Sequence, residues 1–438
     1  MKFVVIGGGI AGLCAGLRLS ARHDVVVIER SAAPGGKIRS QHIDGFRFDW
    51  GPNGFLSSAT ELCALVGELG LEDALIAVDS TASKRSIYWN GRLHTLPAKP
   101  PHALTMSLLS PLGKLRALCE LAVPARTQRE GEDVYGFFAR RFGREVAERI
   151  VAPALLGISG GDARATSIEA LFPRLPEFES ERGSVIRGMM QTRAKPGKLM
   201  SFSDGGMERL TDSLARKLGD RLRLGCEIER IEPRGSGWCV YAREGEIEAD
   251  GVVLATPSNV AATLVEGFDV ELARLLRTID YAPMRVVGVA FRAEDVPVPL
   301  DGFGFLAARG QGVRILGALY TSTMYPDQAP AGTAYLRVFL GGATDPAALA
   351  LDAASARAIV RADLATTLRI TGEPVAYHEV LWPHAIPQYA LGHRALLANI
   401  DERSTAHGNF AMVGNAYRGV GVGDTVRTAF AAAERLGS

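Results

Sequence analysis

No run of about 18 apolar residues occurs anywhere in this chain, so nothing in it reads as a bilayer-crossing helix. Cysteine is equally sparse. The five thiols, Cys14, Cys63, Cys119, Cys226 and Cys239, are odd in number and far apart, with no C-x-x-C pair. That argues against a disulfide frame or a cysteine zinc site and fits reduced thiols in a cytoplasmic protein. The eight histidines form no H-x-x-x-H or H-E-x-x-H pair, so no metal centre is expected. Charge of one sign is also missing: 49 basic residues against 48 acidic leave a formal net charge of +1, and the scattered cations generate no long-range field to recruit nucleic acid. What remains is globular composition, 47% hydrophobic and 22% charged, in 438 residues, enough for two or three domains with sizeable cores.

The first thirty residues organise the rest. Phe3 to Ile6 is apolar, Gly7, Gly8, Gly9, Ile10, Ala11 and Gly12 follow, an apolar segment runs to Leu19, and Val25 to Glu29 closes the unit. This reads as strand, tight turn, helix and strand, with Gly7 shaping the turn, Gly9 admitting a pyrophosphate to the backbone and Gly12 letting the helix lie close to the sheet. Unpaired N–H groups and the helix dipole favour an anion there by roughly 0.3–2 kcal/mol. Glu29 falls where a carboxylate accepts ribose hydroxyls and repels a 2′-phosphate. A glycine-rich turn or a secretory leader would explain these residues less well, because glycines break the apolar run and no small-residue cleavage site follows.

Further along, Gly35-Gly36-Lys37 and Trp50-Gly51-Pro52-Asn53-Gly54 form two more glycine corners, where a planar ligand can lie against the main chain. Ala59 to Leu71 has helical spacing, and Ser86 to Trp89 before Asn90-Gly91 predicts a hairpin with a primed turn. From Leu96 to about Met190 the chain is helix-like. Leu104, Met106, Leu108, Leu109, Leu112, Leu115, Leu118 and Leu121 form a broad apolar face, with Lys114, Arg116, Arg126 and Arg129 nearby. Such a face packs in a core or rests on a membrane surface. After a turn at Ser203 to Gly206 and a helix to Leu218, strands return at Leu222–Leu224, Glu227–Ile231, Trp238–Tyr241 and Gly251–Thr256. A second strand-rich region spans Arg285–Phe291, Phe303–Leu306, Ile315–Tyr320 and Ala334–Leu340, followed by a helix from about Ala354 to Leu368. Phe410 to Tyr417, the loop from Gly419 to Asp424 and a helix from Val426 to Leu436 repeat the strand, glycine loop and helix order at the other end.

Taken together these landmarks resemble the flavin-dependent amine oxidase and desaturase superfamily, and more closely its protoporphyrinogen oxidases. The resemblance spans nearly the whole chain: the glycine fingerprint with Glu29, Gly35-Gly36, Gly51-Pro52-Asn53, Gly157 to Asp162, Ser201 to Met207, Asp301 to Leu306, Trp382 to Tyr389, and Gly414 to Gly421. It implies an α/β fold in which a Rossmann-like FAD-binding domain is closed by both chain ends, beside a mixed-sheet substrate domain and a helical insertion. The implied boundaries are 1–82, 201–265 and 385–438 for the FAD-binding domain, 83–95 and 266–384 for the substrate domain, and 96–200 for the insertion.

By position, the resemblance implies Gly7 to Gly12 for the pyrophosphate and Glu29 and Arg30 for the adenosine. Gly36, Lys37, Gly51, Pro52, Asn53 and Gly54 would line the flavin. The backbone of Ile228 would hold the adenine edge, Trp382 would flank the flavin, and Val420, Gly421 and Val422 would meet its pyrimidine end. Arg85 matches the family's substrate-facing arginine, Phe303, Gly304 and Leu306 its apolar wall, and Tyr325 stands where some members place a phenylalanine over the substrate ring. Ser159 replaces a common tyrosine.

The implied chemistry is oxidation of a porphyrinogen to a porphyrin by FAD, with dioxygen as acceptor. No protein side chain is expected to act as base, and orientation and water exclusion are what the protein supplies. Coproporphyrinogen III remains an alternative to protoporphyrinogen IX, and carotenoid desaturase and amine oxidase are more distant ones. A non-catalytic carrier resembling GDP-dissociation inhibitors is disfavoured by the intact fingerprint, and an NAD-dependent dehydrogenase by the single adenine-binding motif. Monomer and homodimer both stay open, as does contact of the insertion with the cytoplasmic membrane face.

Overall fold

The computed structural model describes residues 1–78, 82, 84–97, 106–126, 131–192 and 197–437. At its centre lies a five-stranded sheet in the order Leu222–Arg223, Asp24–Ile28, Lys2–Ile6, Gly251–Leu254 and Phe410–Met412, parallel throughout. The strand sequences KFVVI, DVVVI and GVVL are apolar on both faces, as a parallel sheet covered on both sides requires. Phe3 and Val5 face helices Ile10–Leu19, Glu208–Leu218 and Val422–Leu436. Val4 and Ile6 face the opposite layer, built from helices Ser258–Val265 and Val270–Arg277 and the small sheet of strands Ile228–Arg234, Gly237–Ala242 and Gly245–Ala249. The first, middle and last parts of the chain thus meet in one sheet.

A second, seven-stranded sheet has the order Ala376–Pro387, Tyr281–Arg292, Thr333–Gly341, Gly317–Tyr320, Gly304–Ala307, Arg85–Trp89 and Arg92–Leu96. Neighbours run antiparallel except Gly304–Ala307 beside Arg85–Trp89, which are parallel. Helix Ala353–Leu368 packs Val360, Leu364 and Leu368 against one face through Val287, Val289, Leu336 and Val338. Phe46, Phe48 and Trp50 cover the other, with Phe48 stacked on Trp50 at 5.4 Å between ring centres. The hairpin turn at Asn90-Gly91 has φ of 47° and 75°, the left-handed pair that a primed turn demands.

Strand Ala376–Pro387 and helix His393–Ala406 have no counterpart in the sequence reading. The strand lies at the sheet edge, where one side faces no partner, so its polar and proline residues blur the alternation by which strands are recognised.

The helix-like stretch is a set of short helices. They include Pro111–Leu118, Val134–Phe142, Ala152–Ser159, Ile168–Leu171, Arg174–Arg182 and Val185–Gln191. Leu108 and Leu109 are buried in the turn before the first helix. Ser110 then caps that helix, its hydroxyl accepting from Gly113 N–H at 3.0 Å with Pro111 in the first turn, which resets the helical phase. Leu112, Leu115 and Leu118 consequently point outward, 78%, 58% and 50% exposed. Leu104, Arg129, Pro100 and Pro101 lie outside the described residues. Arg141, fully buried, ties the helices together by donating to Glu120 and to the carbonyls of Val123 and Gly183. Glu120 in turn accepts from Val185 N–H at 2.8 Å and from the Ser184 hydroxyl at 2.5 Å.

Candidate flavin and substrate site

Helix Ile10–Leu19 begins at Gly9, whose position offers no side-chain cap, so its first N–H groups are left for another acceptor. Gly7, with φ of 112°, donates to Ile28 O at 2.8 Å and bends the chain from strand into helix. A Cβ on Gly12 would overlap the Gly7 carbonyl oxygen, whereas one on Gly9 would meet nothing within 4 Å. The two glycines therefore serve different ends: Gly12 brings the helix against the strand, and Gly9 leaves a cradle open above the helix N-terminus. A phosphate fits that cradle.

Glu29 stands at the end of the neighbouring strand. Its carboxylate accepts from Gly8 N–H at 2.6 Å and from Ser31 N–H at 2.8 Å. It thereby braces the turn, and lone pairs remain on its two oxygens for ribose hydroxyls. Glu29 O also accepts from Cys226 N–H at 3.0 Å, which draws the strand beginning at Ile228 toward the same edge. Arg30 is largely exposed, 3.9 Å from Glu227. Gly35 N–H donates to Gly8 O at 2.8 Å, laying the second glycine corner on the first.

Lys37 leaves that corner for the other sheet. Its amine donates to Ala385 O at 2.7 Å and lies 5.2 Å from the Tyr281 ring centre, and burial pulls it down to about 8. Trp382, on the same strand as Ala385, donates its indole N–H to Trp50 O at 3.1 Å. The corner from Trp50 to Gly54 thus lies beside Lys37 and Trp382. A second helix, Val422–Leu436, also starts at a glycine without a side-chain cap, Gly421. It joins the first helix in one core, Arg18 sitting 4.0 Å over the ring of Phe430. Val420, Gly421 and Val422 therefore present backbone groups and a second dipole end.

Arg85 and Gly304 are direct partners across the parallel strand pair. The Arg85 guanidinium lies 4.9 Å from the Phe303 ring centre and makes no ion pair among the described residues, while its neighbour Lys84 pairs with Asp301. Leu306 packs against Gly157, where any Cβ would strike its methyl groups, so the helix Ala152–Ser159 lies against this strand. Tyr325 is 1% exposed, buried with Ala82 and Met324, and donates to Asn53 O at 3.1 Å. Burial pushes its phenol up. The ring is packed beneath the Asn53 corner.

Sequence reasoning missed the polar core beneath that corner. Arg337, 4% exposed, donates to Gly51 O, and Arg47, 2% exposed, reaches Asp327 at 3.0 Å. Asp49 accepts from Gln328 at 3.0 Å. The signal available was Arg47 and Asp49 alternating with apolar Phe46 and Phe48 in a strand, a pattern that ordinarily marks a solvent face.

Residues 10–437 match the model of the flavin containing amine oxidoreductases. The chain belongs to that family. It is similar to the chloroplastic protoporphyrinogen oxidase of Oryza sativa subsp. japonica, 31% identical over 99% of this chain and 87% of that one. It is also similar to the coproporphyrinogen III oxidase of Bacillus subtilis, 28% identical over 97% of this chain and 95% of that one. A solved chain from Exiguobacterium sp. 255-15 has the same fold, with a TM-score of 0.87 at 24% identity over 100% of this chain and 98% of that one. Reduced UDP-galactopyranose mutase shares it as well, with a TM-score of 0.77 at 16% identity over 99% and 95% of the two chains, so the fold alone does not fix the reaction. The flavoenzyme is an FAD-dependent oxidoreductase. The open cradle at Gly9, the two uncapped helix starts and the carboxylate of Glu29 suit the pyrophosphate, backbone-reading and ribose contacts of FAD. No helix among the described residues is long and apolar enough to cross a membrane.

Proposed function

We propose that the flavoenzyme oxidises protoporphyrinogen IX to protoporphyrin IX. Dioxygen is the acceptor, and three molecules are reduced to hydrogen peroxide for the six hydrogens the macrocycle loses. The observation that carries this reading is the placement of Arg85: a guanidinium with no acidic partner among the described residues, stacked on Phe303 beside the apolar strand Gly304–Ala307. An apolar wall with one cation at its edge suits a flat, hydrophobic ring that carries carboxylates, because guanidinium grips carboxylate through two parallel hydrogen bonds.

Gly7 to Gly12 and Glu29 would hold the adenosine diphosphate half of FAD. Lys37, the Gly51 to Gly54 corner, Trp382 and the Val420 to Val422 helix start would hold the flavin. Bound there, FAD supplies a two-electron acceptor for hydride. The protein supplies position: Arg85 anchors a propionate, Phe303, Gly304 and Leu306 support one face of the macrocycle, and helix Ala152–Ser159 keeps water from the wall. Phe303 also screens the guanidinium and strengthens its grip on the carboxylate.

Coproporphyrinogen III is a second substrate reading, favoured by the 28% identity to the Bacillus subtilis enzyme. Oxygen uptake and porphyrin fluorescence, measured with each porphyrinogen side by side, separate the two. A higher kcat/KM for coproporphyrinogen III would replace the first reading, and no turnover of either would remove both.

The same reading assigns the exposed ridge of Leu112, Leu115, Leu118 and Leu121 to reversible contact with the cytoplasmic face of an anionic membrane. Met189 and Met190, 58% and 81% exposed, stand on a helix joined to the ridge through Glu120. Lys114 and Arg187 supply cations beside it. An apolar face edged by cations lies in the headgroup region without spanning the bilayer.

A further inference from the structure

Three side chains of the seven-stranded sheet region converge on the corner from Trp50 to Gly54. The Trp382 indole donates to Trp50 O at 3.1 Å, the Arg337 guanidinium donates to Gly51 O, and the Tyr325 hydroxyl donates to Asn53 O at 3.1 Å. They come from separate parts of the chain: an edge strand, a central strand and the residue after helix Thr321–Met324.

The consequence is geometric. A planar trans peptide aims its carbonyl and its N–H in opposite directions, and the described chain has no cis peptide. With the carbonyls of Trp50 and Asn53 held toward the sheet, the N–H groups of Gly51 and Gly54 point away from it. Of the two peptide planes between these donors, the one joining Gly51 to Pro52 has no N–H, so it can be locked only through the Gly51 carbonyl, which is the atom Arg337 holds.

Arg337 is an expensive means of doing so. It is 4% exposed, its Nε has no partner, and its one hydrogen bond among the described residues is to Gly51 O. Burial pulls its guanidinium down, with Asp49 acting in the opposite direction. It borders a small cavity shared with Asp49, Asn53, Thr321, Tyr325 and Gln328. Burying a cation so poorly partnered works against folding, which a neutral side chain would avoid if packing were the only requirement.

We propose that Arg337 is a positioning residue for the flavin: with Tyr325 and Trp382 it fixes the Trp50 to Gly54 corner so that the Gly51 and Gly54 N–H groups face the cofactor. The inference rests on the FAD reading and adds to it the side chains that orient the loop. Tyr325, placed over the substrate ring by family resemblance, acts in this account from beneath the loop.

The test uses apoprotein reconstituted with FAD, for wild type and for Tyr325→Phe, Arg337→Leu and Arg337→Lys. Tyr325→Phe removes only the hydroxyl and is expected to weaken FAD binding several-fold, about the worth of one hydrogen bond. Arg337→Leu is expected to weaken it about tenfold or more, and Arg337→Lys to recover part of that loss. In each weakened variant the flavin absorption envelope and reduction potential should shift, while the apoprotein melting temperature of Tyr325→Phe falls by no more than about a few degrees. Wild-type affinity, spectrum and potential in Tyr325→Phe and Arg337→Leu would overturn the proposal. So would a loss of FAD that only tracks a falling apoprotein melting temperature, without lysine rescue. If Arg337→Leu does not fold, Tyr325→Phe decides the matter alone. Wild-type apoprotein that takes up no FAD would overturn the cofactor reading itself, a result distinguishable because it precedes any substitution.

Discussion

Valine at Gly9 and alanine at Gly12 should fail in opposite ways, although the two glycines lie three residues apart in one motif. Gly9 has φ of −72° and ψ of 173°, open to any L-residue, and its Cβ would meet no atom within 4 Å. A side chain there costs about 1 kcal/mol of helix capping, offset by about 0.4–1 kcal/mol from a less flexible unfolded chain. The apoprotein should therefore melt within a few degrees of wild type. The cofactor loses far more. A valine filling the cradle displaces the pyrophosphate from the helix N-terminus, and two charge-assisted hydrogen bonds at about 1.5–3 kcal/mol each correspond to roughly 10²–10⁴ in FAD affinity.

Gly12→Ala reverses the pattern. Its Cβ would overlap the backbone oxygen of Gly7, an atom that cannot rotate aside, so the helix must lift from the sheet at a cost of about 1–3 kcal/mol. Here the apoprotein melting temperature falls. Thermal melts of both apoproteins, paired with fluorescence titration by FAD, provide the measurement. Gly9→Val with wild-type FAD affinity would refute the placement of the phosphate, and Gly12→Ala with an unchanged melt would refute the close-packing argument.

Arg85→Ala should lower kcat/KM for the porphyrinogen about ten- to a hundredfold, the loss of one charge-assisted contact at about 1.5–3 kcal/mol; flavin content should not change and Arg85→Lys should rescue only in part. Steady-state kinetics with wild-type values in the alanine variant would take Arg85 out of the site. Burial pulls the Lys37 amine to about 8 while the unfolded chain keeps that proton to about 10.4, so the unfolded state binds more protons between these values and apoprotein stability should rise with pH across that window. Binding of the anionic cofactor should restore the proton, seen as proton uptake when FAD is titrated at pH about 8.5 in buffers of different ionisation enthalpy; no uptake would place Lys37 away from FAD. Flotation with anionic liposomes at low salt should carry the wild-type protein, and glutamates at both Leu112 and Leu115 should abolish it. If wild type does not float, the ridge does not bind membrane.

By itself the sequence determined the nucleotide-binding unit. The turn needs a positive φ at Gly7, a helix packed against Gly7 admits no side chain at Gly12, and three runs of valine, isoleucine and leucine fit only strands covered on both faces. These are local requirements, met by residues within thirty positions of one another or by continuous apolar runs. The strong resemblance carried by later motifs extended the same reading to the cofactor and the family. Tertiary structure alone decided how distant parts meet. Nothing local to Arg85 or Gly304 says that they lie side by side, because strand pairing across more than two hundred residues is set by the sheet as a whole. The outward turn of Leu112 and Leu115 was likewise invisible, since Ser110 and Pro111 reset the helix phase and composition does not record which face is covered. Arg47, Asp49 and Arg337 look like solvent-facing charges in the sequence. The groups they meet when buried, Asp327, Gln328 and the Gly51 carbonyl, arrive from far along the chain, and only the folded protein brings them together.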